Sequence, residues 1–334
     1  MPLPATPPVP AFQVQTVAMP ATAACPDLSG RLAGFVFGRQ RPADAGNDVH
    51  VALETDGRPW REYWQCAGSV SAGPAPLQHC CGSVAFGLLS IDEPHGTDIE
   101  TAARDAYAQL REHLASSDYP HLLRIWNYLD AVTEGDGDAE RYRRFCVGRV
   151  AGMGSLVGEA WPAATCIGRH DGVRRLQVYW LASRHPGLPL ENPRQVSAWR
   201  YPRQYGPQSP TFARALLPDA RDGLPLLISG TASIVGHASL HHGDVQAQLE
   251  ETLANVQALI DVARQHRPDL PAQLDAGSPL KVYVRHREDL PRVAARLDAL
   301  LPDGVPRLLL HGEICRAELL VEIEAMHGPV PAMA

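Results

Sequence analysis

Two stretches of this chain carry the same order of elements, and this duplication constrains the fold more than any single motif does. In the second half, "GLPLLISGTASIV" (223–235) is an apolar, β-branched run that reads as a strand. "DVQAQLEETLANVQALIDVARQH" (244–266) sets Val245, Leu249, Leu253, Val256, Leu259 and Ile260 at helical spacing, with Asp244 placed as an N-cap. A strand "LKVYVRH", a short helix around 289–301 and two strands, "PRLLLHGEIC" and "ELLVEIEAM", follow. The first half runs in the same order: strand "GSVAFGLLSI", a helix from Asp98 to about Ser116, strand "LLRIWNYLD", a helix around 138–151, then strands "AATCIG" and "RLQVYWLAS". "LRIWNYLDA" aligns on "LKVYVRHRE". A β-α-β-α-β-β unit present twice predicts an α/β (α+β) protein of two tandem modules, at 30–190 and 223–330, joined by a linker at 191–222. Residues 1–29 read as a Pro-rich arm, ordered late or not at all.

Composition narrows the function classes. With 45% hydrophobic and 20% charged residues, the chain reads as a soluble globular protein. No apolar run approaches the roughly 18 residues of a membrane span, and "MPLPATPPVPAFQVQ" has neither the basic start nor the apolar core of a secretory signal. The net charge of -7 argues against nucleic acid as a partner. Seven cysteines (25, 66, 80, 81, 146, 166, 315), odd in number and without a CxxC, read as reduced thiols of a cytoplasmic protein. Lysine occurs once, at Lys281, which leaves a single candidate amine for Schiff-base chemistry. His237, His241 and His242 lie in a Gly-rich loop without HExxH, so no metal is expected there.

Two segments hold the candidate chemistry. "WRYPRQYGPQSPTFAR", from Trp199, is broken by prolines at 202, 207 and 210 and must be a shaped loop. Its Arg200, Tyr201, Arg203 and Tyr205 offer groups that grip carboxylates or phosphates; a solvated surface loop is the plain alternative. Read as a strand, "ELLVEIEAM" puts Glu318, Leu320, Glu322, Glu324 and Met326 on one face. In the first unit the position of Glu322 is held by Tyr179, so the duplication keeps the acid in one copy. A single active site between two modules would leave that asymmetry, although a solvated acidic face is the other reading.

"SGTASIVG" (229–236), Gly243, Asp244, Gln248, Leu253, Asn255, Pro306, Arg307 and "VEIEA" (321–325) resemble the YjgF-like family. The resemblance implies a sheet packed on two helices, trimers with ligand sites at subunit clefts, and a functional glutamate at Glu322. Over residues 30–327 the chain resembles a narrower family, the chorismatases, which carry two such modules in one chain. That resemblance rests on "RIWNYLDAV" (124–132), "ERYRRFCVGR" (140–149), "PAATCIG" (162–168), "ENPRQVSAWRYPRQYGPQSPTFARA" (191–215), "ISGTASIVGH" (228–237) and "ICRAELLVEIE" (314–324).

The resemblance implies a pseudo-trimer-like, monomeric enzyme that splits chorismate into pyruvate and a hydroxybenzoate or a cyclohexadiene, with no cofactor. Glu322 and Cys315 are then the catalytic candidates, and Arg203, Tyr205, Arg143, Tyr128 and Arg200 the substrate-binding ones. Arg307 matches a carboxylate-binding arginine of the YjgF-like family and is otherwise structural. Cleavage begins by protonating an enol ether, so Glu322 must stay protonated near neutral pH, well above the ordinary glutamate value of about 4.3. Burial, Glu318, Glu324 or the substrate's own carboxylates could supply the shift. Cys315 resembles members that form 3- and 4-hydroxybenzoate for pigment and ubiquinone pathways, and is not expected to be a covalent nucleophile. A hydrolytic subtype, and a non-catalytic metabolite-binding module, remain as alternatives.

Overall fold

The computed structural model describes residues 12–19, 30–73, 75–93, 98–154 and 161–328. Strands β1 (Phe12–Ala18), β2 (Arg31–Phe37), β3 (Val49–Val51) and β4 (Trp60–Cys66) form a first sheet in the order β1-β4-β2-β3. This sheet corrects two expectations. Phe12–Ala18 is not an unpaired arm: it pairs antiparallel with β4 from Phe12–Cys66 to Ala18–Trp60. The alternating "FQVQTVA" lies between the flanking prolines, so no proline interrupts it, and Phe12 packs on Trp64 with ring centroids 6.1 Å apart. The strands from Arg31 to Cys66 likewise belong to this separate sheet and are not the start of the first module. Cys25 lies outside the described residues.

The first module comprises β5 (Ser71–Ala72), β6 (Leu77–Cys81), β7 (Val84–Asp92), α1 (Ile99–Ser116), β8 (His121–Asp130), α2 (Arg141–Met153), β9 (Ala163–Arg169) and β10 (Arg175–Ser183). In the second are β11 (Leu188–Leu190), β12 (Ala215–Leu217), β13 (Leu226–Ala232), a hairpin β14 (Ile234–Val235) and β15 (Ala238–Ser239), α3 (Val245–His266), β16 (Leu280–Val284), α4 (Leu290–Leu300), β17 (Arg307–His311) and β18 (Val321–His327). The sheet orders, β5-β6-β7-β10-β8-β9 and β11-β12-β13-β18-β16-β17, are the same topology. The predicted repeat is therefore present, each copy extended by two edge strands. Its register matches too: Glu322 lies across from Tyr283 on β16 and Ala232 on β13, as Tyr179 lies across from Trp126 on β8 and Leu88 on β7.

Local chemistry explains the helices. The Asp98 side chain caps α1 by accepting from the Thr101 amide, and that of Asp244 caps α3 by accepting from the Gln246 and Ala247 amides. Gly148 lets α2 press onto α1, since a Cβ there would stand 2.0 Å from the Glu100 carbonyl oxygen. The helices cover one face of each module sheet. The opposite faces meet the first sheet in a shared core holding Phe35, Trp64, Trp126, Tyr179, Leu227 and Tyr283. Three sheets around one core make the pseudo-trimer-like arrangement, the third place taken by a sheet with no helix among the described residues. No helix in the described residues is long and apolar enough to cross a membrane.

Candidate active site

The two modules are stitched edge to edge. Ala163 of β9 bridges Ala213, Gly168 bridges Glu313, and the Ala164 amide donates to Ser229 Oγ at 2.9 Å, which donates on to the Ala213 carbonyl at 2.6 Å. At this seam lies a cavity of about 380 Å³. Its walls are α2 and β9 of the first module, β13, β18 and the 314–319 loop of the second, and the loop from Tyr201 to Arg214.

Glu322 projects from β18 into the cavity and is 5% exposed. Gly230 on β13 makes the space for it: a Cβ at that position would stand 2.1 Å from Glu322 Oε1. Its carboxyl accepts no hydrogen bond among the described residues. Burial first, and Glu324 second, push its acid up to about 8 against the pull of Arg124, Arg214 and Arg285. The group is thus mainly protonated at neutral pH, the state a general acid needs. Glu324, two residues on, has the opposite fate. It accepts from Trp126 Nε1 at 2.7 Å and Arg124 Nη2 at 3.1 Å, and pairs with Lys281 Nζ at 3.4 Å. Against burial, Lys281 and Arg124 hold it below the ordinary carboxylate value, so it stays ionised.

Cys315, in the loop between β17 and β18, lines the same cavity and packs with Ala232, Ile234, Ile314 and Leu319. Burial and the neighbouring Glu322 push its thiol up to about 12, so it is a neutral, apolar wall and not a thiolate. Tyr205 also faces the cavity, its hydroxyl 3.1 Å from His237 Nδ1, and Arg143 joins it from α2.

Three further candidates fall elsewhere. Arg203 turns outward, 65% exposed, into a fork with Asp138, while Gln204 and Tyr205 of the same short helical turn line the cavity. Arg200 is exposed and outside the cavity. Tyr128 sits in the shared core, its hydroxyl bonded to those of Tyr179 (3.1 Å) and Tyr283 (3.0 Å), so the parity it shares with Trp126 meant packing. Arg307 pairs with Asp298 away from this cavity. Glu318 is at the rim, accepting from Ser239 Oγ at 2.7 Å; β18 begins only at Val321, so strand parity never applied to it. Lys281 is buried between Glu62 (2.8 Å) and Glu324, with burial opposed by both carboxylates, and it is held protonated and unfit for Schiff-base chemistry. His241 pairs with Glu251, and His242 Nε2 donates to the Ser239 carbonyl at 3.0 Å.

Sequence reasoning missed three arginines that line the cavity. Arg149 of α2 is 4% exposed, and its Nε and Nη2 have no hydrogen-bond partner among the described residues. Arg214, also 4% exposed, donates to Tyr201 Oη at 2.6 Å and the Val196 carbonyl at 2.9 Å, its Nε having no such partner there. Arg316 lies 3.8 Å over the Tyr205 ring and donates to the His237 carbonyl, and its Nη2 likewise has no partner among the described residues. Buried donors without acceptors cost free energy until an acceptor arrives, so these three walls are built for an anionic ligand. The one trace in the letters is that Arg214 interrupts the otherwise apolar run from Phe212 to Leu217, which does not by itself separate a ligand-binding arginine from a surface one.

Comparison with known proteins gives a consistent picture. A family profile described as "Chorismatase FkbO/Hyg5-like, N-terminal" matches residues 62–182. A chorismatase of Streptomyces rapamycinicus is 38% identical over 288 residues, covering 83% of this chain and 85% of that protein. A 3-hydroxybenzoate synthase of Streptomyces hygroscopicus is 38% identical over 236 residues, covering 67% and 68%. The crystal structure of a chorismatase superposes with a TM-score of 0.82 at 32% identity, covering 96% of this chain and 99% of that one.

Proposed function

The chain belongs to the chorismatase family, and on that premise we propose that the cavity at the module seam is where chorismate is converted to pyruvate and 3-hydroxybenzoate, with 4-hydroxybenzoate as the companion isomer. That it is an enzyme acting on chorismate follows from the family; the residue roles and the products are our reading. The observation that carries them is one buried, protonated carboxyl facing a cavity whose arginines lack acceptors. A volume of about 380 Å³ suits one small molecule.

In this reading Arg149, Arg214 and Arg316, with Arg143 and Tyr205, receive the two carboxylates of chorismate and fix its pose. Glu322 gives its proton to the terminal methylene of the enol ether, leaving an oxocarbenium carbon. The ring C–O bond then breaks, its electron pair going to the oxygen and freeing pyruvate as its ketone. The neighbouring ring hydroxyl oxygen takes the vacated carbon on the way to 3-hydroxybenzoate, or stays in place to give 4-hydroxybenzoate. Loss of the ring C–H on aromatisation returns one proton, so pyruvate and hydroxybenzoate together contain every atom of chorismate and no water is consumed. The hydrolytic alternative consumes one water. Cys315, a neutral thiol packed among Ala232 and Ile234, supports the first outcome by drying that wall. The cavity is built from one chain, which supports action as a monomer, and six free thiols among the described residues are in keeping with a cytoplasmic setting.

The test is to incubate purified protein with chorismate, following pyruvate by a coupled dehydrogenase and the second product by chromatography. Pyruvate with hydroxybenzoate is expected. Pyruvate with a diene diol would reassign the subtype, and no pyruvate would leave a binding module.

A further inference from the structure

Each of the three sheets sends a charge into the centre of the molecule. Glu62 comes from β4 of the first sheet, Arg124 from β8, and Lys281 and Glu324 from β16 and β18. They form an alternating row: Glu62 to Lys281 at 2.8 Å, Lys281 to Glu324 at 3.4 Å, Glu324 to Arg124 at 3.1 Å. All four are buried, and Phe35, Phe37, Trp64 and Trp126 surround the Lys281 ammonium with ring centroids 5.4–5.9 Å away. Trp64 Nε1 donates to Glu62 at 2.9 Å and Trp126 Nε1 to Glu324. None of the four side chains lines the cavity.

A row of two acids and two bases could neutralise itself more cheaply with apolar residues, since buried ion pairs add little to stability. Its placement suggests another use, because Glu324, held inside the row between Lys281 and Arg124, lies on the same strand face as Glu322 and two residues away. We propose that this row fixes a permanent negative charge beside Glu322, and that Glu324 and, through Lys281, Glu62 are positioning residues that keep the proton on Glu322. The idea rests on the reading of Glu322 as proton donor. Around Glu322 stand Arg124 from β8, Arg214 from the loop, Arg285 beyond β16, Cys315 before β18 and Cys166 on β9. The cavity it faces is also lined by Glu140, Tyr142, Arg143 and Arg149 at α2, by Tyr201 and Tyr205 of the loop, and by Arg316 and Glu318 before β18. Arg124, Arg214 and Arg285 favour its ionised form, and among the groups that act on it most strongly Glu324 is the anion that opposes them. Thr165 Oγ1 accepts from Arg124 Nη2 at 2.6 Å and from the Gly230 amide at 3.0 Å. With both lone pairs used, its hydroxyl proton is left for an acceptor, and Thr165 helps to hold the Glu324 carboxylate charged.

The experiment is the pH profile of kcat/KM for chorismate in the full chain, wild type against Glu324→Gln and Glu62→Gln, with Glu322→Gln alongside. The alkaline limb should move down by about 1 unit or more in Glu324→Gln, a tenfold loss at a pH on that limb but little change at acid pH. Glu62→Gln, remote from the cavity and able to keep the Trp64 bond, should move it less and in the same direction. If Glu324→Gln does not fold, the Glu62→Gln profile decides alone. A limb that stays in place in folded variants overturns the proposal, and a limb unmoved in Glu62→Gln removes the first sheet from it. Full activity in Glu322→Gln would instead overturn the proton-donor reading itself.

Discussion

Replacing Gly230 by alanine would separate the placement of the acid from its presence. The backbone there does not require glycine, since Gly230 has no positive φ, so alanine should be accommodated without backbone strain. What it meets is the carboxyl of Glu322: the new Cβ would stand 2.1 Å from Oε1 and 2.9 Å from Cδ, and 3.3 Å from Thr165 Oγ1. An ordinary contact needs more than 3 Å, so the acid must retreat by about 1 Å, and a displacement of that size at a reacting group costs on the order of 10²-fold. The Glu322 side chain has torsions with which to retreat, and loss of a glycine from the unfolded chain offsets part of the strain by about 0.4–1 kcal/mol. Thermal unfolding should therefore stay within a few degrees of wild type while kcat for pyruvate release falls about 10²-fold. KM should change little, because the arginines are untouched. A variant within threefold of wild-type kcat would mean that the present pose of Glu322 is not the reacting one.

Three more outcomes follow from the same geometry. With Glu322 as the proposed proton donor and its acid pushed up to about 8, kcat/KM should be flat through neutral pH and fall above about 8; a rate that climbs there would point to a base. Arg214→Lys should raise KM on the order of tenfold because an ammonium cannot hold Tyr201, Val196 and a carboxylate together, whereas Arg203→Lys should stay within about twofold, its fork being spent on Asp138; equal effects would contradict the placement of these arginines. Cys315→Ala should keep pyruvate formation and shift the second product toward the hydrolysed diol, read as the product ratio at equal pyruvate; an unmoved ratio would reduce Cys315 to packing.

The repeat was legible because it is written in periodicity: the 3.6-residue spacing of α3, capped by Asp244, and the register that sets Tyr179 against Glu322 came straight from the letters. The first sheet was not, because "FQVQTVA" is short and sits among prolines that read as an arm; only its partner β4, more than forty residues later, makes it a strand. In the site, Glu322 was legible as an acid kept in one copy. The binding arginines were not, since Arg149, Arg214 and Arg316 converge from a helix and two loops, and arginine supplies almost every cation of this chain. Type alone therefore could not tell Arg203, spent on a surface aspartate, from Arg214, held half-satisfied in the dark.

The seam between the modules has a consequence for how such a protein can change. In a ring of identical subunits every substitution is repeated at each interface, so a residue good for one cleft is imposed on all. Here β9 meets β13 once, and the position of Glu322 in the other copy is free to be Tyr179, a packing residue. One copy can therefore keep an acid where the other keeps a packing residue, without either being copied into a place where it would be harmful.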